Sequence, residues 1–284
     1  MSKPLIQTTH IRPRRTWFHF NFYEIWAHRD LIATLVGRDF SSRFRQTILG
    51  PAWYIVQPLS VTLVFSVVFS RMLGVSTSGI PSGLFYLSGL ICWNYFSQVL
   101  GATGNSFHQN ANLFTKVYFP RVIVPIATAI STLIGLVVQL GTFLVMYITW
   151  HMTTPDSDLG MTWWVCLLPL AVIQSGCLAV GIGFWMSAIS AKYRDFQHTL
   201  SLVVQLWLYL TPVAYPLSTV PASWRWLAEL NPMTAPIELF REGFFGVSNI
   251  SNSLLIISAV STLILVTSGW LAFQRTERTF ADIV

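Results

Sequence analysis

Residues 50–70 carry no charged side chain, and Arg38, Arg43 and Arg45 stand directly before them. A charge-free run of this length is about what an α-helix needs to cross a hydrocarbon core. Lys and Arg beside a span stay on the cytoplasmic side. The junction at residues 37–60, GRDFSSRFRQTILGPAWYIVQPLS, therefore sets both that the chain enters a membrane and which way round it does so. Composition agrees, since 53% of the 284 residues are hydrophobic and only 10% charged, too few charges to hydrate a soluble surface.

The formal charge of +6 does not point to nucleic acid, because the basic residues flank apolar runs, where anionic headgroups and membrane orientation explain them. Cys92, Cys166 and Cys177 are odd in number, lie inside apolar segments and lack metal-ligand spacing. They read as buried, reduced thiols, and no metal site is expected.

Residues 1–20 are basic without an acid and read as a flexible cytoplasmic tail. Residues 21–49 form an interface helix and a basic junction: Asn21 with Glu24 resembles a capping box, and Phe22, Ile25, Ile32, Leu35 and Val36 give an apolar face that would lie along the membrane surface. Residues 50–284 divide into six spans: 51–70, a second ending before Asn105, 122–150, 163–189, 197–217 and 254–273. The third would be roughly 43 Å long as a helix against a core of about 30 Å, so it must tilt, bend or protrude. Between spans five and six, Pro212, Pro216, Pro221, Pro232 and Pro236 cut the chain into pieces too short to cross. Two short outer helices are expected there, re-entrant over about 218–248: 221–230, pairing Arg225 with Glu229, and 234–246. The predicted fold is an all-α membrane protein of six transmembrane helices, an N-terminal amphipathic interface helix and these two outer helices. It puts 14 of the 17 Lys and Arg on the inner side, with both termini cytoplasmic.

Within those spans the sole ionisable residue is His198, at an inner boundary, which argues against secondary ion-coupled transport. No P-loop is present, since the lysines follow Ser2, Thr115 and Ala191 and never Gly. Energy for uphill movement must come from another subunit. No nucleophile, metal or paired-carboxylate set stands out, and Asp156 with Asp158 reads as a solvated loop, so the chain is not expected to be an enzyme or to hold a cofactor. The spans do carry neutral polarity: Gln57, Gln98, Gln139, Gln174 and Gln205. For any single Gln, gluing helices together is the commoner use. Trp53, Tyr54, Trp150, Trp163 and Trp164 suit interfacial anchoring, whereas Trp207 and Tyr209 lie deeper. Aromatic faces with neutral hydrogen-bonding groups suit a polyhydroxylated chain, so Tyr54, Gln57, Gln205, Trp207 and Tyr209 are candidate channel-lining residues, with packing as the rival explanation.

The segments RFRQTILGPAWYIVQP, LSGLICWNYFSQVL, NANLFTKVYFPRVIVP, AKYRDFQH, LYLTPVAYP and LNPMTAPIELFR resemble, in order and over nearly the whole chain, the permease subunit of bacterial ABC-2 type polysaccharide exporters, above all those for O-antigen. The resemblance implies a homodimer in the bacterial inner membrane with two ABC ATPase subunits that bind ATP and Mg. The implied cargo is a lipid-diphosphate-linked glycan moved from cytoplasm to periplasm. It also implies that residues 110–121 dock on the ATPase, with Asn112, Leu113, Phe114, Thr115 and Lys116 projecting, and that the outer helices close the exit. Arg225 and Arg241 would meet a diphosphate there, ion pairs with Glu229 or Glu238 being the plainer reading. A teichoic-acid or capsule exporter of the same fold, a drug or lipid ABC-2 exporter, and a passive channel without an ATPase are the alternatives.

The charge asymmetry predicts that a single cysteine at Lys116 or Lys192 resists an impermeant thiol reagent in intact cells, while one at Asp156 or Trp224 reacts. Labelling of position 116 together with protection of position 156 would overturn the orientation.

Overall fold

The computed structural model describes residues 22–279 apart from 111–112, 115–118, 156, 158, 194 and 248–249; the expected cap residue Asn21 lies outside the described residues. Among the described residues the secondary structure is helical, with no strand. Helix α1 (Phe22–Ala27) turns at His28 into α2 (Arg29–Phe44), which runs two turns past the expected apolar face. Leu31, Ile32, Leu35 and Val36 of α2 pack on Phe119, Ile123, Val124 and Ala127. Helix α2 is thus docked on protein along that face, and its polar last turn carries Arg43 beyond the contact.

Helix α3 (Trp53–Phe65) is entered through a 3-10 turn, Gly50–Ala52, with Pro51 in the first turn, and leaves through a π-helical stretch, Ser66–Met72. Pro is tolerated at a helix start because that N–H would have no partner anyway. Next come α4 (Ser82–Gly104), α5 (Ser106–Gln109), α6 (Ile123–Thr153) and α7 (Leu168–Ser190), the last preceded by the 3-10 segment Trp163–Leu167. Helices α8 (Phe196–Leu210), α9 (Ala222–Leu230), α10 (Thr234–Phe245) and α11 (Asn252–Thr279) complete the chain.

Among the described residues, four stretches are long and apolar enough to cross a membrane: Gly50–Met72, Ile123–Thr153, Trp163–Ser190 and Asn252–Thr276. Helix α4 matches the shortest of them with 23 residues, but its glycines, serines, Asn94 and Gln98 lower its hydropathy. Helix α8 has 15 residues, about 22 Å, and stops at Leu210 instead of continuing to 217 as the composition suggested. Pro212 explains the stop, because a residue before Pro is pushed out of the helical region, and Thr211 is indeed extended. The long third helix is present at 31 residues, and α2 covers its N-terminal end.

Helix α4 forms the centre, buried over most of its length from Leu84 to Gly104 and packed on α3, α6, α7, α8 and α10. Glycines set how close α7 comes to its neighbours. A Cβ on Gly183 would stand 2.6 Å from the Thr103 side chain of α4, and one on Gly176 2.7 Å from the Tyr95 hydroxyl. On another face, a Cβ on Gly181 would lie 2.8 Å from the Val266 backbone of α11, and Gly269 of α11 is seated directly on the Gly181 carbonyl. Close backbone approach is the usual way helices gain packing energy where lipid supplies no hydrophobic drive. The thiols depart from expectation: Cys166 and Cys177 are exposed on the surface of the chain, and Cys92 is half-buried. Cys92 packs against the core around α4, whereas Cys166 and Cys177 stand on apolar surface turned away from it.

Because Gly269 has no room for a side chain while Gly141 faces open space, Gly269→Val should cost about 1–3 kcal/mol and Gly141→Val almost nothing. Thermal unfolding of the two variants in detergent checks this; equal transitions would contradict the tight α7–α11 crossing.

Candidate functional site

Between α4 and α8 lies a groove of about 320 Å³, with Ser97, Gln98 and Asn105 on one wall and Gln197, Ser201 and Gln205 on the other. Trp93 stands at its deeper end, and no charged residue lines it. The α8 wall follows from helical spacing, since residues four apart stack on one face. Leu200, Val204, Trp207 and Leu208, on the neighbouring face, pack into the core around α4. One helix therefore offers a packed apolar side and a neutral polar edge. Gln197, Ser201, Ser97 and Asn105 were not singled out from sequence, yet the four-residue repeat 197, 201, 205 was there to be read.

The structure sorts the five glutamines. Gln98 Oε1 accepts from Arg43 Nη1 at 2.7 Å, Gln139 Oε1 accepts from Asn94 Nδ2 at 3.4 Å, and Gln174 Nε2 donates to Ser258 Oγ at 2.5 Å. These three tie helices together. Gln57 and Gln205 are exposed and make no hydrogen bond among the described residues. Trp207 does not share the groove: its ring packs edge-on against Phe96 at 5.4 Å and Trp93 at 6.3 Å. Two residues along a helix is roughly half a turn, so Gln205 and Trp207 face different ways. Tyr209 is half exposed. Tyr54 is a second correction, for its ring is buried against Gly135, where a Cβ would stand 2.6 Å away, and edge-on to Phe44 at 4.9 Å. Its hydroxyl reaches Arg43 Nη1 at 3.4 Å.

Of the segment expected to project, Leu113 and Phe114 are described, while Asn112, Thr115 and Lys116 lie outside the described residues. Phe114 does not project. It sits half-buried with its ring 5.9 Å from Phe107 and 5.8 Å from Phe119, and the Arg121 guanidinium lies 5.5 Å above it. Phe107 stacks on Phe273 of α11 at 4.7 Å, and Phe184 of α7 meets Phe273 at 4.6 Å. His108 Nε2 and the Ser190 carbonyl are 2.7 Å apart, and Ser106 and Ser187 pair at 3.0 Å. The segment after α4 is thereby fastened to the start of α6 and to the C-terminal parts of α7 and α11.

The two arginines differ. Arg225 and Glu229 form an exposed pair at 2.9 Å, one turn apart. Arg241 is 2% exposed, and its position overturns the expected contact with a diphosphate. Nη1 donates to the Pro212 carbonyl at 2.7 Å and to Glu238 at 3.1 Å, Nη2 donates to the Val213 carbonyl at 3.1 Å, and the guanidinium lies 3.8 Å from the Phe85 ring centroid. These donors are spent on the chain just beyond α8. Asn231 Nδ2 adds a bond to Thr211 Oγ1 at 2.8 Å. A helix end leaves carbonyls without partners, and in a membrane water cannot supply them.

The sequence profile of the ABC-2 type transporter family matches residues 30–245. An O-antigen export system permease protein from Myxococcus xanthus is 26% identical over 263 residues, covering 92% of this chain and 98% of the relative. One of the same description from Klebsiella pneumoniae is 24% identical and covers 90% and 95%. A polysialic acid transport protein from Escherichia coli is 24% identical over 219 residues, 74% of this chain and 80% of its own.

Removing one member of a buried pair costs about 3–5 kcal/mol, while an exposed pair is worth less than about 1 kcal/mol. Arg241→Met should therefore destabilise the protein strongly and Arg225→Met hardly at all, as denaturant or thermal unfolding in detergent would register.

Proposed function

The chain belongs to the ABC-2 type transporter family, and from that premise we propose that it is the transmembrane subunit of an ATP-driven exporter moving a lipid-diphosphate-linked polysaccharide of the O-antigen type from cytoplasm to periplasm. Two copies enclose the path, and two ABC ATPase subunits bind ATP and Mg beneath them. The near full-length match to O-antigen permeases favours that cargo over capsule, since the polysialic acid relative matches a shorter stretch. In this reading the protein is a multi-pass inner-membrane protein with cytoplasmic termini. Helix α4 and helix α8, the latter prolonged by residues 211–217, join the four long apolar helices to make six spans. Residues 110–121 form the ATPase dock, with Phe114 anchoring its base. Helices α9 and α10 lie on the outer side.

The observation that carries this reading is the neutral edge Gln197, Ser201 and Gln205 facing Ser97, Gln98 and Asn105. A glycan leaving water loses hydrogen bonds, each costing on the order of a few kcal/mol if not replaced. Glutamine and serine both donate and accept, so they can replace those bonds along a sliding chain without fixing one position. A passive channel would serve the same edge, but membership of the ABC-2 type transporter family favours an energy source in a partner.

Gln205→Leu should reduce surface polysaccharide while the complex still assembles and hydrolyses ATP, whereas Trp207→Leu, which opens a gap beside Phe96, should first weaken assembly. Unchanged export from Gln205→Leu, read by polysaccharide immunoblot beside the recovered complex, would count against the path.

A further inference from the structure

We infer that Arg43 is the site that receives the anionic headgroup of a lipid-linked cargo, beside Gln98 on the α4 wall of the α4–α8 groove. This rests on the exporter reading above and deepens it. The argument begins from charge. Arg29 stands 3.8 Å from Asp30, Arg38 2.9 Å from Asp39, Arg225 2.9 Å from Glu229 and Arg241 3.1 Å from Glu238. Arg43 differs from all of these. Its Nη1 donates to Gln98 Oε1 at 2.7 Å and lies 3.4 Å from the Tyr54 hydroxyl, both neutral groups. Among the described residues neither Nε nor Nη2 has a partner, so the charge is held in place yet not compensated.

Its location gives that charge a use. Gln98 is a wall of the groove, so the guanidinium is tied to the groove's own lining. Tyr54, the other partner, is wedged against Gly135 and cannot swing away. The free Nε and Nη2 edge has the fork geometry that pairs bidentately with phosphate oxygens. A cargo made of a neutral sugar chain on a phosphorylated lipid would then meet one cation on the α4 wall and neutral hydrogen-bonding groups along the rest of the groove. The acceptors on Arg43 position it without cancelling its charge, as an internal carboxylate would.

The ligand chemistry is a phosphate or diphosphate group, which a lipid or free inorganic diphosphate could both present. The test therefore uses the full-length chain in neutral-lipid nanodiscs and three probes: a polyprenyl diphosphate, inorganic diphosphate, and phosphatidylglycerol in place of part of the bilayer. Binding is read by native mass spectrometry or by displacement of a fluorescent polyprenyl diphosphate. Wild-type protein should bind the polyprenyl diphosphate, and Arg43→Gln should weaken that binding about tenfold or more, the worth of one charge-assisted contact. Gln98→Glu, which supplies Arg43 with an internal carboxylate, should weaken it similarly with the arginine intact. Arg45→Gln, which removes an exposed neighbouring charge, should leave binding unchanged. Tight binding of inorganic diphosphate alone would assign the site to a soluble anion, and equal competition by phosphatidylglycerol would reduce Arg43 to an ordinary surface anchor; either overturns the lipid-headgroup assignment. Wild-type binding that survives both Arg43→Gln and Gln98→Glu sinks the proposal and leaves the exporter reading standing. Absence of binding to wild-type protein counts against both.

Discussion

The half of the molecule that carries α9 and α10 depends on Arg241. Helix α8 stops at Leu210, in a region where water is not at hand to satisfy the carbonyls that follow, and Arg241 donates to those of Pro212 and Val213. The same guanidinium pairs with Glu238 and lies over Phe85 of α4, so one side chain joins α10, the break after α8 and the central helix. Gly89 belongs to this arrangement, since a Cβ there would stand 3.1 Å from Arg241 Nη2 and 3.2 Å from the Val213 backbone. The aromatic contacts of Phe240 and Phe244 with Phe143 then fasten α10 to α6. A charged residue that looks available for ligand binding in the sequence is thus consumed in making a broken helix tolerable.

Fixing the C-terminal end of α8 has a consequence for the helix before the break. Its apolar side is held on α4 through Trp207, Trp93 and Phe96, and this leaves the edge carrying Gln197, Ser201 and Gln205 open beside Gln98. At the opposite end of the molecule, Phe107, Phe184 and Phe273 bind the segment after α4 to α7 and α11. A push delivered near residue 114 would reach packed helix ends and not a loose loop. Of the five glutamines, Gln98, Gln139 and Gln174 are satisfied inside the fold and hold helices together, while Gln205 is left open on the groove.

Much of this was legible in the sequence wherever a local rule governs. Pro212 and Pro232 mark real breaks, helices occupy Ala222–Leu230 and Thr234–Phe245 between prolines and Gly246, and Arg225 pairs with Glu229 one turn away. What depends on partners far along the chain was not. Nothing near Arg241 announces carbonyls 28 and 29 residues earlier, and nothing near Tyr54 announces Gly135. Gly181 and Gly269 read as filler in apolar runs, although the α7–α11 crossing requires both. The different directions of Gln205 and Trp207 were readable from helical spacing alone, and grouping them by depth concealed it.

A photo-activated cross-linking side chain introduced at Ser201, on the open edge of α8, tests most directly whether cargo runs along the α4–α8 groove. The comparison is with the same side chain at Ile256, on an exposed face of α11. In cells exporting polysaccharide, illumination should attach glycan to the chain from position 201 and not from position 256. Glycan captured equally at both, or none at position 201 while export continues, would contradict a path along that groove.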